Sequence, residues 1–417
     1  MRVFPIVVLL ALAAWIAVDR PTAAADQPPD WNQWRGPSRD GRTTGPAWPE
    51  SLDADHLKRL WRVELGPSYS GPLVVGDLVY VTETKDRKRE RVHALDRTTG
   101  KERWRTEWDG SLVVPFFAWR NGSWIRSTPA HDGERLYVAG IRDVLVCLDA
   151  AKGNELWRVD FVQRYGTPLP AFGFVSSPLV VGDALYVQAA NSCVKLDKKT
   201  GKELWRTMKD GGGGYGSAFS SPVLATVAGK PQLLVQARER LAGVDPETGE
   251  VLWSKPIPAE RGMNILTPIV HRDGLFTTAY GGKALRLDVA AKDGKFEVAE
   301  TWDLKLQGYM TTPVVIDGHA YLLLRNRRAC CIDLERGKAT WTTDERFGEY
   351  WNLVSRGDRI LALDQRGELL LFKANPQQFD LVDRRKISDE ETWAHLAVVG
   401  DQLFVRELNA IAAYQWK

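Results

Sequence analysis

The sequence predicts an all-β chain folded as an eight-bladed β-propeller of four-stranded blades, and three observations predict it. A hairpin motif recurs at fixed spacing, a second series of glycine turns marks repeating units, and the last unit lacks one strand that an N-terminal segment supplies.

The hairpin motif is an aspartate, a glycine four residues on, and a tryptophan four after that. It reads Asp96/Gly100/Trp104, Asp149/Gly153/Trp157, Asp197/Gly201/Trp205, Asp245/Gly249/Trp253 and Asp333/Gly337/Trp341. A sixth copy, Asp288 to Trp302, is stretched by an insertion of six residues. Apolar alternation ending in Asp, whose carboxylate accepts from the following N–H groups, begins a turn. Glycine takes the positive-φ position that closes it. Tryptophan then gives the second strand a large surface to bury. Trp61, Trp104, Trp157, Trp205, Trp253, Trp302 and Trp341 are thus read as structural.

Upstream of each copy, short apolar runs meet at a turn glycine: Gly76, Gly133, Gly182, Gly229, Gly274, Gly318, Gly357 and Gly400. Each unit holds two hairpins, and the period of roughly 45 residues is that of a propeller blade. The eighth unit ends at "IAAYQWK" after three strands. "LKRLWRVEL", residues 57–65, has the outer-strand pattern, with Trp61 but no hairpin before it. Pairing the two closes the ring and removes two open edges.

Ahead of the ring lie two other segments. Residues 1–25 begin with Arg2, continue in an apolar run from Val3 to Val18 and end in Ala23-Ala24-Ala25. That is the pattern of a cleaved secretory signal peptide, too short to span a bilayer, so the mature chain is expected in the periplasm or outside the cell with no membrane span. Residues 26–56 are rich in Trp, Arg, Gly and Pro; "DWNQWRGPSRDG" holds Trp31, Trp34, Arg35 and Arg39. Its prolines and glycines forbid regular structure. The expectation is a plug or clamp on one end of the propeller, with Arg35 and Arg39 meeting carboxylates or carbonyls beneath it. The 56 basic and 53 acidic residues give a net charge of +3, with no long run of one sign, which gives no support for a nucleic-acid groove or a membrane-binding face.

The "LDxxTGxxxW" copies resemble the quinoprotein (pyrroloquinoline-quinone, PQQ) repeat, over residues 57–417. The resemblance implies an eight-bladed propeller of the kind found in quinoprotein alcohol dehydrogenases and in the propeller lipoprotein of the outer-membrane barrel-assembly machinery. It implies tryptophans docked between blades. For function it implies one of two things: a non-catalytic binding or assembly module, or a small oxidoreductase using PQQ with calcium.

Enzyme chemistry finds little support in the residues. Cys330-Cys331 is the feature the resemblance would make a vicinal disulfide against the quinone. On a strand the two side chains point to opposite faces, so they and Cys147 and Cys193 are expected as free, buried thiols. His131, His271 and His319 fall in or beside hairpin turns, His93 lies on a strand and His56 precedes one. "GGGGYG", residues 211–216, precedes a strand rather than a helix and is read as a loop rather than a phosphate cradle. No catalytic residue, metal site or cofactor is predicted.

The links between outer and inner strands converge on one mouth, and seven of eight carry an aromatic: "GPSYSGP", "GSWIRSTP", "AFGFVSSP", "GSAFSSP", "QGYMTTP", "GEYWNLV" and "EETWAHL". The expected ligand site is therefore Tyr69, Trp124, Phe174, Phe219, Tyr309, Trp351 and Trp393, with Arg126, Asn264 and His395 as polar company. A monomeric, exported module binding another protein or an extended polymer is the reading; the alternatives are the quinoprotein oxidoreductase and a glycan-binding protein.

Overall fold

The computed structural model describes residues 29–210 and 218–417. The signal-peptide region 1–25 and the glycine loop 211–216 lie outside the described residues. Eight antiparallel four-stranded sheets form the ring. Blades 1 to 7 run in chain order as residues 73–109, 130–160, 179–207, 223–256, 269–304, 314–342 and 351–386. Blade 8 takes three strands from residues 397–416, and its fourth is β1 (Leu57–Glu64). β1 pairs with the C-terminal strand from Leu57 opposite Trp416 to Glu64 opposite Ala410. The ring closes as the strand count requires.

The repeated motif turns out to be an inter-blade joint. Asp96 Oδ1 accepts from the backbone N–H of Thr99 at 2.8 Å, which tightens the turn. Gly100 has φ +70°, and a Cβ there would fall 2.8 Å from the ring of Trp61 in the preceding blade. Trp61 Nε1 in turn donates to Arg97 O at 2.9 Å. The same indole-to-carbonyl bond joins Trp104 to Ala150, Trp157 to Lys198, Trp205 to Pro246, Trp302 to Leu334 and Trp341 to Asn375. Glycine is required twice over, by its backbone angle and by the ring lying on it.

Trp253 is the exception, and its neighbour explains it. Blade 5 lengthens its second hairpin until Lys292 pairs with Lys295 around a two-residue Asp293-Gly294 turn. No Asp-x-x-x-Gly turn remains to receive Trp253, which bonds instead to Gln232 of its own blade at 2.6 Å.

Between blades lie apolar layers, each joining neighbours: Val138 and Leu148 of blade 2 pack with Tyr80 and Val92 of blade 1, and Leu353 and Leu370 of blade 7 with Tyr321 and Cys331 of blade 6. Each fully buried side chain of this kind contributes ~1.5–3 kcal/mol of transfer free energy. All four cysteines are free and buried. Cys330 and Cys331 face two different layers, on the blade 5 and blade 7 sides of their strand.

Residues 30–43 run into the axis from the side of the first hairpin turns. Trp31 exchanges backbone hydrogen bonds with Val74 of blade 1, and Thr43 N–H donates to Ser355 O of blade 7. Arg35 donates to Thr312 O and Pro313 O at 2.7 Å, tying the segment to blade 6. Arg39 reaches Pro178 O at 2.8 Å and Ser177 O at 3.2 Å in blade 3. Burial lowers the pKa of Arg35 to about 10 and of Arg39 to about 9, so both stay charged at neutral pH. Carbonyls, rather than carboxylates, hold these two cations.

Candidate functional site

The plug turns the propeller axis into a blind cavity of about 400 Å³. Its lining follows from a register that repeats in every link. Counting from the residue before the inner strand's proline, the positions are Gly71, Thr128, Ser177, Ser221, Thr267 and Thr312, with Asn352 and His395 in the corresponding places of blades 7 and 8. The backbone N–H of one blade donates to the side chain of the next: Gly71 to Thr128 (3.1 Å), Thr128 to Ser177 (3.1 Å), Ser177 to Ser221 (2.9 Å) and Ser221 to Thr267 (3.0 Å). Five hydroxyls, from Thr128 to Thr312, form this belt along blades 2 to 6, and Gly71, Asn352 and His395 complete the ring of positions.

Two residues before each belt position, the side chain again faces inward. Those residues are Tyr69, Arg126, Val175, Phe219, Ile265, Met310, Tyr350 and Trp393, and all eight line the cavity. The residues between them turn outward and are buried to 1% exposure or less: Ser70, Ser127, Ser176, Ser220, Leu266, Thr311, Trp351 and Ala394. Alternation along an extended chain sorts the two sets.

That rule decides which sequence-predicted residues meet. Tyr69, Arg126, Phe219, Tyr309, Trp393 and His395 line the cavity. Phe174 does not; it is buried against Phe161 in the layer between blades 2 and 3. Trp351 packs at a tilt against Phe347 within the blade 6–7 layer. Asn264 donates to Arg238 O and Ile257 O behind the wall. Trp124 lies off the cavity beneath Arg87. Phe174, Trp351 and Asn264 stand at odd offsets and Trp124 four residues up its link; Tyr309, three residues before Thr312, reaches the cavity despite its odd offset.

The cavity also contains residues the sequence reading passed over. Tyr350 lies one step from Trp351 and of the opposite facing, and Phe172 lies two steps before Phe174 where the link bends toward the cavity's rim. Tyr280 comes from a hairpin turn of blade 5 and Phe117 from the first link. Counting back two from the five Ser/Thr-Pro pairs would have found Arg126, Val175, Phe219, Ile265 and Met310; the link of blade 7 lacks such a pair and hides Tyr350, and nothing local marks Tyr280.

The floor is Trp34. Its indole N–H donates to His395 Nε2 at 2.8 Å, and Arg35 and Arg39 lie over its ring at 5.6 and 5.2 Å. Asn352 Nδ2 faces the other ring nitrogen, and Leu396 N–H holds the Asn352 oxygen at 2.6 Å. Burial, with Arg35 nearby, lowers the His395 pKa to about 3. The imidazole is neutral and its lone pair on Nε2 accepts from Trp34, so none is free to act as a base. Around the walls burial raises Tyr69, Tyr309 and Tyr350 to about 12. Arg126, lowered to about 10 by burial, lies 5.2 Å over the Tyr69 ring. Together with Arg261 and Glu349 it supplies the lining's formal charge among the described residues.

A quinone–calcium pair does not fit this lining. Calcium takes six to eight oxygen ligands, and Glu349 is the one carboxylate lining the cavity among the described residues. Cys330 and Cys331 are blade-core residues and do not line it.

Fold and site together define a plugged, eight-bladed repeat propeller with an aromatic mouth. The chain belongs to the family described as outer membrane protein assembly factor BamB, a PQQ-repeat family whose profile matches residues 50–118 and 88–343. A relative from Moranella endobia, named outer membrane protein assembly factor BamB, is 25% identical over 57% of this chain and 64% of its own length. In solved structures, BamB from Moraxella catarrhalis aligns with a TM-score of 0.62 at 14% identity, covering 87% of this chain and 98% of that one. The quinohemoprotein alcohol dehydrogenase of Comamonas testosteroni aligns at 0.62 and 13%, covering 93% and 80%. At those identities the structural likeness establishes the fold alone.

Proposed function

We propose that the protein is an exported, non-catalytic module of outer-membrane protein assembly that holds an extended segment of a partner protein in its aromatic mouth. The observation that carries this reading is the composition of the cavity. Aromatic and methionine walls with few charges suit apolar side chains of a peptide, and the hydroxyl belt and Arg126 offer hydrogen bonds to its backbone. The blind floor limits the depth of entry to a side chain or a turn rather than a threaded strand. His395 offers no free base there, because its lone pair accepts from Trp34 Nε1–H. Family membership supports an assembly role, and the Arg2-to-Ala25 pattern supports export. Among the described residues no helix is long and apolar enough to cross a membrane.

Site-specific photo-crosslinking in cells tests the proposal. A crosslinking residue at Tyr69 or Tyr309 should capture a discrete protein, and the same residue at Asp358 on the opposite face should not. Equal capture from both faces, or saturable PQQ binding with alcohol oxidation by the purified chain, would overturn it.

A further inference from the structure

The longest link of the ring, between blades 1 and 2, carries an exposed apolar lip beside the mouth. Residues 116–121 form a short 3-10 helix. Val113 is 87% exposed, Phe116 86% and Trp119 68%, whereas Ala118 and Val114 anchor the lip against Phe172. Lone exposed leucines occur on outer strands at Leu156 and Leu204, but nowhere else among the described residues do such side chains cluster.

Cations surround the lip. The first blade's inner hairpin turn carries Lys85, Arg87 and Lys88, and it grips the lip's stem: Gly110 N–H donates to Lys88 O, and Arg87 covers Trp124. Arg142 of blade 2 donates to Ser111 O at 2.9 Å, and Arg120 lies over Trp119. Arg87, Lys88, Arg120 and Arg142 make no ion pair among the described residues. Six of the eight hairpin turns on the mouth side hold a lysine or arginine, three of them beside an acid (Asp86, Asp143, Glu239); on the plug side seven of the eight first turns hold an aspartate, and the outer turns add Arg97, Lys101, Lys152, Lys198, Lys199 and Lys202.

We propose that the mouth face rests on an anionic lipid surface, with Phe116, Trp119 and Val113 entering the headgroup layer and the surrounding cations meeting lipid phosphates. A convex apolar tip on a single helical turn, rimmed by cations, suits insertion into a fluid interface. A protein hot spot would more often be a ring seated in a preformed pocket. The cations around the lip orient the disc, because anionic leaflets attract basic patches within a Debye length. This inference does not depend on what fills the mouth.

Vesicle flotation tests it, on both the full chain and the chain starting at residue 26, because the apolar run 3–18 would itself hold a bilayer. Vesicles of phosphatidylcholine mixed with phosphatidylglycerol should float the protein, vesicles of phosphatidylcholine alone should float it far less, and added salt should release it. Phe116→Ser with Trp119→Ser should weaken binding about tenfold or more, given the two rings withdrawn from the interface, with an unchanged thermal melt. Lys85→Glu with Arg87→Glu should abolish the preference for anionic lipid, and Asp77→Asn on the plug face should change nothing. Three outcomes overturn the proposal: no flotation of the shorter chain, lip variants that float like wild type, or lip-dependent binding of soluble polyglutamate without vesicle binding. The last would identify an acidic protein as the occupant.

Discussion

The outer layer of this ring and its axis are built from the same eight repeats, yet only the outer layer repeats. At the periphery the aspartate turn, the glycine and the docked tryptophan recur almost unchanged, because each blade offers its neighbour the same surface. At the axis the eight links meet one another around one space. There the inward position is Tyr69, Arg126, Val175, Phe219, Ile265, Met310, Tyr350 and Trp393 in turn, eight residues of seven kinds. Repetition marks what holds the ring; at the axis it gives way to a wall that differs from blade to blade.

Four experiments would break or sharpen that contrast. The largest effect is expected from deleting residues 57–64, which leaves the strand Ala410–Trp416 as an open edge and Gly100 without its tryptophan. Circular dichroism and calorimetry should show loss of the single cooperative transition; retention of it would mean that closure is not a joint of the same weight as the others. Next, Trp205→Ala should lower stability by roughly 3–4 kcal/mol in urea titrations, as large truncations at packed sites do, without altering partner crosslinking per folded molecule. Trp393→Ala should do the reverse, with a small stability change and lost crosslinking. If both variants behave alike, periphery and axis are not separable.

Two pH measurements probe buried groups of each kind. Glu90, buried near the stem of the first link, accepts from Trp108 Nε1 at 2.8 Å and Ile141 N at 2.7 Å, and burial raises its pKa to about 7. A carboxyl raised on folding contributes stability at low pH that is lost as pH climbs from the unfolded value through 7. Glu90→Gln should therefore gain on wild type by about 3 kcal/mol between pH 4 and pH 8. A constant difference across that range would show that Glu90 ionises as freely in the folded chain as in the unfolded one.

His395 works in the opposite direction, with a folded pKa of about 3. Its contribution is complete above the unfolded histidine value and is lost as pH falls toward 3, because the unfolded chain takes up the proton first. Relative to His395→Gln, wild type should lose about 2 kcal/mol between pH 7.5 and pH 5. Since the carboxyl and imidazole slopes oppose each other, only the differences between wild type and variant carry the test. A His395→Gln curve parallel to wild type would mean that the mouth floor admits a charged imidazole.

Fixed spacing made the fold readable. The Asp–Gly–Trp pattern, the glycine turns and the orphan strand at Leu57–Glu64 together specified eight blades and the mode of closure. The site was readable only in part. Choosing the aromatics of each link placed Tyr69, Phe219, Tyr309 and Trp393 in the cavity but also selected Phe174 and Trp351, which face the blade cores. Hydrophobicity cannot separate these groups, because a ring is as well buried between blades as it is useful at the mouth. A one-residue step from the belt residue reverses the facing of Trp351 against Tyr350, while Tyr309 and Phe174, at the same offset, part ways through packing that the sequence does not display.

Local chemistry in the sequence determined the blades: turn residues at fixed offsets, alternation along strands and a bulky ring per hairpin each act within a dozen residues. It also determined that "DWNQWRGPSRDG" would be neither helix nor strand. The tertiary structure alone decided what that segment does. Trp34 and His395 are 361 residues apart and bond at 2.8 Å, and Arg35 reaches across to Thr312 O at 2.7 Å. Ring closure brings the first and last links to the same axis, so the floor of the mouth is made by parts of the chain that no local pattern relates.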